Sequence, residues 1–360
     1  MMKRCILICI FVALCCVTPV SALDVSAHSA ILMDADTGTV LYEKNPDEKS
    51  LIASTTKIMT ALVTLEQGEL TDVVKIPLEA VGIEGSSMYL KAGEILTVED
   101  LLHGLMLSSG NDAAVALALH IGGSIEDFAE LMNEKAMELN LSGAHFANPN
   151  GLDSEENYAT ARDLGLLASA ALKNEDFLRI VSTKTYQCEG HTMTNHNKLL
   201  WQYEGAVGVK TGFTKKAGRI LVGGAQRNGR TLVSVTINAP SDWQDHKCML
   251  DYGLSKYSEA VLMEVGEALG DIPVISGDKE TVKLVSCGTV SGWVLPGESV
   301  EVKLHIPEFL YAPVERDMEI GTAEIYLAGK CLGTVSVMTV GSIEQLPEEK
   351  KFFERLLERF

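Results

Sequence analysis

The chain has 360 residues, 46% of them apolar, enough to bury sizeable cores in about two domains. Its formal net charge is -19 and its pI about 4.8. Acidity of this size excludes nucleic acid and anionic lipid headgroups as partners of the surface as a whole, and leaves room only for a local cationic site.

Residues 1–22 read as an export signal. Lys3 and Arg4 form its charged end, Cys5 to Val17 its apolar run, and Val20-Ser21-Ala22 a small-residue cleavage site before Leu23. The run is too short to span a bilayer comfortably. Cleavage removes Lys3 and Arg4 and no acidic residue, which takes the net charge from -19 to -21. An uncleaved anchor is the alternative; a lipid-modified cysteine fits poorly, because bulky Leu14 precedes Cys15 and Cys16. No other stretch of the sequence is apolar enough to span a bilayer. The protein is therefore expected outside the cytoplasmic membrane, at its outer face or in the cell envelope. Cys188, Cys248, Cys287 and Cys331 remain after cleavage. They are widely spaced, so no zinc set is expected, and no bridge is assigned among them.

In chain order, His28 to Asp34 and Thr39 to Tyr42 read as a hairpin around a Gly38 turn. A helix begins near Ser54 and runs to about Gln67, where Gly68 stops it. Leu70 to Pro77 reads as a short strand, and Gly82 to Ala92 as loop with a strand at Met88-Tyr89-Leu90. Thr97 starts a helix through Leu107 with a capping-box pattern. Ser108 to Asp112 breaks the periodicity, which resumes over Ala113 to Ile121. Ser124 to Leu139 and Thr160 to Leu172 are further helices, with a strong turn at Asn148-Pro149-Asn150-Gly151 between them. Ala206 to Lys210 reads as a strand. Arg219 to Ala225 and Thr231 to Asn238 form a hairpin around Asn228-Gly229. Trp243 to Tyr257 is helical. Beyond 262 come short strands at Thr281–Ser286, Ser299–Ile306, Ala323–Leu327 and Gly333–Thr339. The last stretch places Phe352, Phe353, Leu356, Leu357 and Phe360 on one helical face. The expected organisation is an export signal over 1–22, an α+β domain (a helical cluster plus an antiparallel sheet) over 23–258, a small all-β sandwich over 262–342, and an amphipathic helix over 347–360.

Three segments carry chemistry. In Ser54-Thr55-Thr56-Lys57 the serine and lysine are spaced to share one helix face. The serine hydroxyl needs a group to take its proton, and a lysine can do so only when burial or a nearby cation keeps its amine neutral. Ser109-Gly110-Asn111 lies in the break between two helices. Lys210-Thr211-Gly212 lies at the end of a strand. Each alone is an ordinary cap or surface pattern; the three in this order are far rarer.

Together they resemble the penicillin-recognising serine acyl-transferases, with their nucleophile, Ser-x-Asn and Lys-Thr-Gly motifs. Ser54 to Thr60, Asn148 to Leu152 and Gly208 to Thr214 are similar to the low-molecular-mass penicillin-binding proteins that act as D-Ala-D-Ala carboxypeptidases. Tyr326 to Lys330 is similar to their β-rich second domain. The resemblance implies a β-lactamase/transpeptidase-like catalytic fold and an acyl-enzyme on Ser54, with Lys57 accepting its proton. Ser109 would relay a proton to the leaving amine, and Asn111 would orient Lys57 and the substrate amide. Lys210 and Thr211 would bind the terminal carboxylate, and Gly212 would let the substrate strand lie close. The backbone N–H groups of Ser54 and Phe213 would hold the oxyanion. No metal or cofactor is implied. The partners implied are a stem peptide ending in D-Ala-D-Ala and β-lactams as covalent inhibitors; residues 347–360 would rest either on a membrane surface, for which their charge-balanced polar face is weak, or on a partner or the β-rich domain. His196 lies where some relatives carry a basic residue near the carboxylate pocket; the competing reading, which the sequence favours, is a surface polar residue.

Several readings compete. A β-lactamase would need a glutamate followed four residues later by asparagine, whereas Glu155 and Glu156 are followed by Ala159 and Thr160. A D,D-endopeptidase carries the same motifs. A β-lactam sensor would need membrane-spanning helices, and a silent binding module would have lost a motif residue. Arg162-Asp163 is expected to form a local ion pair, and His103, His120 and His246 to be structural.

Overall fold

The computed structural model describes residues 7–11 by their backbone and 23–346 in full. Most of the expected export signal and all of the C-terminal segment 347–360 therefore lie outside the described residues. The chain divides into two compact units between Lys256 and Tyr257. That division places the strand Ser258–Met263 in the second unit, a few residues before the break expected from the sequence.

The first unit is built on a five-stranded antiparallel sheet. Its order is Ala206–Thr214, Gly218–Arg227, Arg230–Ile237, Ser29–Asp34 and Val40–Lys44. Ser29–Asp34 is buried at every position, which explains its weak hydrophobic alternation. Its side chains serve two faces. Ile31 and Met33 lie against Gly165 of one helix, and Leu32 lies against Gly253 of another. These are α5 (Ala161–Ala171) and α8 (Asp242–Leu254). The helical cluster comprises α1 (Lys57–Gln67), α2 (Val98–Leu107), α3 (Asn111–Gly122), α4 (Ile125–Glu138), α5 and α6 (Glu175–Ser182), with a single turn, α7 (Leu199–Gln202), nearby. Ile58, Leu105, Phe128, Leu164, Phe177 and Val235 belong to the one core that joins cluster and sheet.

The cap read from the sequence at Thr97 is in place, as a capping box with Asp100, and Thr160 forms a second one with Asp163. The ion pair expected of Arg162 and Asp163 does not form. Asp163 is committed to the α5 cap, and Arg162 reaches instead to Glu43 and Asp47. Nor is Met88-Tyr89-Leu90 a strand. The N–H groups of Met88 and Leu90 bond the Asp112 carboxylate rather than a neighbouring strand, and Tyr89 sits at a φ of 64°. Among the elements the sequence did not suggest are α6, α7 and the small hairpin Thr185–Cys188/His191–Thr194. His246 is buried between Ser234 and Thr236, and His103 stacks on Tyr186.

The second unit is β-rich. One sheet runs in the order Leu7–Phe11, Ser299–His305, Glu319–Leu327, Lys330–Val340, Thr281–Ser286, Ala268–Ile275 and Leu310–Tyr311. A second sheet pairs Ser258–Met263 with Val290–Val294. Alternation is clean here: Val300, Val302 and Leu304 point into a separate core with Ile325 and Val337. Cys188, Cys248, Cys287 and Cys331 are free thiols.

Candidate active site

Ser54 lies in a 3-10 turn, Ala53–Thr56, that feeds directly into α1 at Lys57. In a 3-10 turn residues three apart eclipse one another. The Lys57 amine accordingly sits 2.9 Å from Ser54 Oγ. It also lies 2.6 Å from Asn111 Oδ1 and 2.6 Å from the carbonyl oxygen of Asn150. Asn111 Nδ2 donates to the Glu84 carbonyl at 2.5 Å, which fixes which end of that amide faces the lysine.

Lys57 is completely buried. Burial and the charge of Lys210 hold its pKa well below the ordinary lysine value, and Asp112 opposes them. Its three partners then decide the geometry of the neutral amine. Asn111 Oδ1 and the Asn150 carbonyl can only accept, so they take the two N–H bonds. When the amine is neutral, its lone pair is left for the Ser54 hydroxyl.

The Asn150 carbonyl is held by the turn that the sequence marked. Asn148 Oδ1 accepts from Gly151 N at 2.8 Å, and Asn150 Oδ1 accepts from Leu152 N at 3.0 Å. Gly151 has a φ of 80°, and a Cβ there would stand 1.9 Å from the Ala53 carbonyl oxygen. Only glycine lets this turn press against the peptide preceding Ser54.

Lys210 comes from the edge strand of the sheet and is also buried. Its amine donates to Ser109 Oγ at 3.1 Å and to the Thr211 carbonyl at 2.9 Å. Burial lowers its pKa to about 7. Ser109 reaches it from the α2–α3 turn with a φ of 60°. Gly212 passes the Ser54 turn so closely that a Cβ would lie 3.2 Å from the Ile52 carbonyl and 3.3 Å from Thr55 N. Ser54, Ser109, Thr211, Gly212, Phe213 and His196 face one cleft of about 290 Å³. The eight residues singled out by the three motifs thus converge on one place, five lining the cleft and Lys57, Asn111 and Lys210 buried beside it. His196 lines the cleft too, its pKa lowered by burial and by Lys210.

The far wall was not anticipated. Arg219, opposite Phe213 across the strand pair, is clasped by the carboxylate of Asp242 at 2.8–3.1 Å, with Trp243 beside it. The pairing joins a strand start to a helix start, so no local spacing announces it. The Asn150 carbonyl was missed because it is a main-chain group that any residue could supply.

Residues 16–241 match the family described as D-alanyl-D-alanine carboxypeptidase. The chain belongs to that family. Residues 257–345 match the C-terminal domain of penicillin-binding protein 5. D-alanyl-D-alanine carboxypeptidase DacF of Bacillus subtilis is 33% identical over 328 residues, covering 87% of this chain and 84% of the relative. Among solved structures, penicillin-binding protein 5 from Haemophilus influenzae superposes with a TM-score of 0.65 at 30% identity, covering 91% of this chain and all of that one. The Streptomyces K15 DD-transpeptidase gives a TM-score of 0.64 at 36% identity, over 66% of this chain. The family's α+β catalytic fold and β-rich second domain are the architecture described above.

Proposed function

We infer that the protein is a serine D-Ala-D-Ala carboxypeptidase that removes the terminal D-alanine from peptidoglycan stem peptides through an acyl-enzyme on Ser54. Family membership supports the reaction class, and one contact carries the assignment of residues. This is the Lys57 amine 2.9 Å from Ser54 Oγ, with both its N–H bonds taken by oxygens that only accept.

Lys57 accepts the Ser54 proton as Oγ attacks the carbonyl between the two D-alanines. The N–H groups of Ser54 and Phe213 face the oxyanion, which the close passage of Gly212 past the Ser54 turn favours. Ala206–Thr214 is the edge of its sheet, and its free side suits an extended peptide laid along it. Lys210 and Thr211 take the terminal carboxylate, with Arg219 as a further cation on the far wall. Ser109, bonded to Lys210, passes a proton to the departing amine, and Asn111 holds Lys57. Water then releases the shortened peptide. A β-lactam enters the same cleft and acylates Ser54.

Such a substrate places the enzyme in the cell envelope. In this reading residues 1–22 direct export, and the Phe and Leu side chains of 347–360 contact the outer face of the cytoplasmic membrane. The experiment is mass spectrometry of products from monomeric pentapeptide muropeptides and crosslinked dimers, with Ser54→Ala alongside. Loss of one alanine from the monomer, absent in the variant, is expected. Cleavage of dimers alone would make the protein an endopeptidase. Stable penicillin binding with no turnover would make it a binding module.

A further inference from the structure

The α2–α3 turn carries a residue that the reaction as outlined does not use. Asp112 follows Asn111 in the first turn of α3 and is 1% exposed. Its Oδ1 accepts from Met88 N at 3.0 Å and Ala113 N at 2.9 Å. Its Oδ2 accepts from Ser87 Oγ at 2.6 Å and Leu90 N at 3.1 Å. All four donors are neutral, and the carboxylate lies at a helix N-terminus, which favours a negative group.

Three of these bonds hold one loop. Asn111 holds the same loop from the next position, donating from its backbone N–H to the Ser86 carbonyl at 2.7 Å and from Nδ2 to the Glu84 carbonyl at 2.5 Å. The segment 84–90 is thereby fixed to the turn that presents Ser109 and Asn111, and Ser86 becomes part of the cleft wall facing Ser54. Met88 packs against Gly104 of α2 so closely that a Cβ there would overlap its sulfur, at 2.2 Å. The Asn111 amide, which must keep its oxygen on Lys57, thus depends on a loop that Asp112 anchors.

We propose that Asp112 is a positioning residue of the acylation site, holding the 84–90 wall of the cleft and, through it, the Asn111 amide in register with Lys57. This rests on the reading of Ser54 and Lys57 given above. The carboxylate also acts through its field. Asp112 and Lys210 are the charged groups whose fields reach Lys57, and they act in opposite directions. Removing the negative charge while keeping the shape lets Lys57 lose its proton more easily. Loosening the loop instead admits water and lets Lys57 hold its proton more strongly.

The test is acylation of the full mature chain by a chromogenic or fluorescent penicillin, followed across pH for wild type and Asp112→Asn. Hydrogen exchange of the 84–90 amides is read in parallel. Asparagine can still accept at Oδ1 but turns N–H groups towards Leu90 N and Ser87, so the Leu90 anchor is lost and Ser87 keeps its bond only by accepting instead of donating. Expected are a roughly 10- to 100-fold slower acylation, in keeping with catalytic groups displaced by less than an ångström, and faster exchange at Leu90 with α2 still protected. The acid limb should move to lower pH if the field outweighs the loosening, and to higher pH if it does not. Ser87→Ala removes one anchor without touching the charge. It should slow acylation by a smaller factor, leave the acid limb at or above its wild-type position, and lose little more when combined with Asp112→Asn. Wild-type rate and wild-type loop exchange in both variants would overturn the proposal, as would slow acylation with an undisturbed loop and an unshifted limb. If Asp112→Asn fails to fold, Ser87→Ala alone decides, since unchanged rate and exchange there would remove the anchoring role. Failure of the wild type itself to acylate would instead overturn the reading of Ser54.

Discussion

The Lys57 amine is 2.6 Å from the carbonyl oxygen of Asn150, a main-chain group 93 residues further along the chain. In the proposed reaction that contact makes the serine and lysine a directed acid–base pair, because it occupies an N–H bond that would otherwise face Ser54. It depends on Gly151. Gly151→Ala would force a Cβ into the Ala53 carbonyl and into a positive φ together. The turn must then move, taking the Asn150 carbonyl and the Ser54 peptide with it. Acylation by penicillin is expected to fall by about 100-fold or more, with circular dichroism unchanged. A variant that acylates at the wild-type rate would show that the turn has room the structure does not reveal.

Lys57 itself has an opposite sign in activity and in stability. Lys57→Met keeps the length and burial of the chain but removes the base, and should slow acylation by about 100- to 10,000-fold. Its folded pKa is depressed relative to the unfolded chain, so the unfolded state binds more protons as pH falls below the ordinary lysine value. The contribution of Lys57 to stability is therefore present above that value and is lost as pH falls towards the folded pKa. Denaturant titrations at pH 7 and pH 10 should show the wild type gaining more stability on going to the higher pH than Lys57→Met does. Equal gains would mean that Lys57 is charged in the folded protein.

What could be read in advance was whatever the chain writes locally. Ser54 and Lys57 meet because they are three residues apart on one turn. Thr97 caps its helix through Asp100, three residues on, and Asn228-Gly229 closes its hairpin. What stayed hidden depends on partners distant in sequence. Met88 and Leu90 have strand-like composition, yet their N–H groups go to Asp112, and nothing in their own neighbourhood says so. Arg162 looked paired with its neighbour because Glu43 and Asp47 are more than a hundred residues away. Ser29–Asp34 lost its alternation because helices cover both of its faces. The site was legible to the extent that its side chains come from three short motifs; its main-chain oxygen and its far wall were not.

With Lys210 taking the terminal carboxylate as proposed, this lysine sets the alkaline side of substrate binding. Burial lowers its pKa to about 7, so the free enzyme loses this positive charge as pH rises through neutrality. A terminal carboxylate beside it favours the protonated form. For a pentapeptide with a free carboxylate, kcat/KM should therefore fall above pH 7, mainly through KM. On the acid side it should fall as Lys57 gains a proton. The same peptide with a C-terminal carboxamide should bind more weakly and lose the alkaline limb. If the carboxamide keeps that limb, another group is responsible for it.

Arg219 offers a second test of how the carboxylate end of the cleft is built. Its guanidinium is clasped by Asp242, yet its side chain is still 45% exposed and remains available to a ligand. Asp242 is almost fully buried and cannot follow a displaced arginine into the cleft. The pair therefore works as a fixed cation, whose orientation Asp242 supplies. Arg219→Ala should raise KM for the pentapeptide by about 10-fold, the order of one charge-assisted hydrogen bond after allowance for solvent, and leave kcat within a few-fold. It also leaves the Asp242 carboxylate facing the approaching substrate, so Arg219→Ala combined with Asp242→Asn should recover part of the loss. Steady-state kinetics on the two variants decide the matter. An unchanged KM in Arg219→Ala would confine carboxylate recognition to Lys210 and Thr211 and make the Arg219–Asp242 pair a purely structural tie between strand and helix.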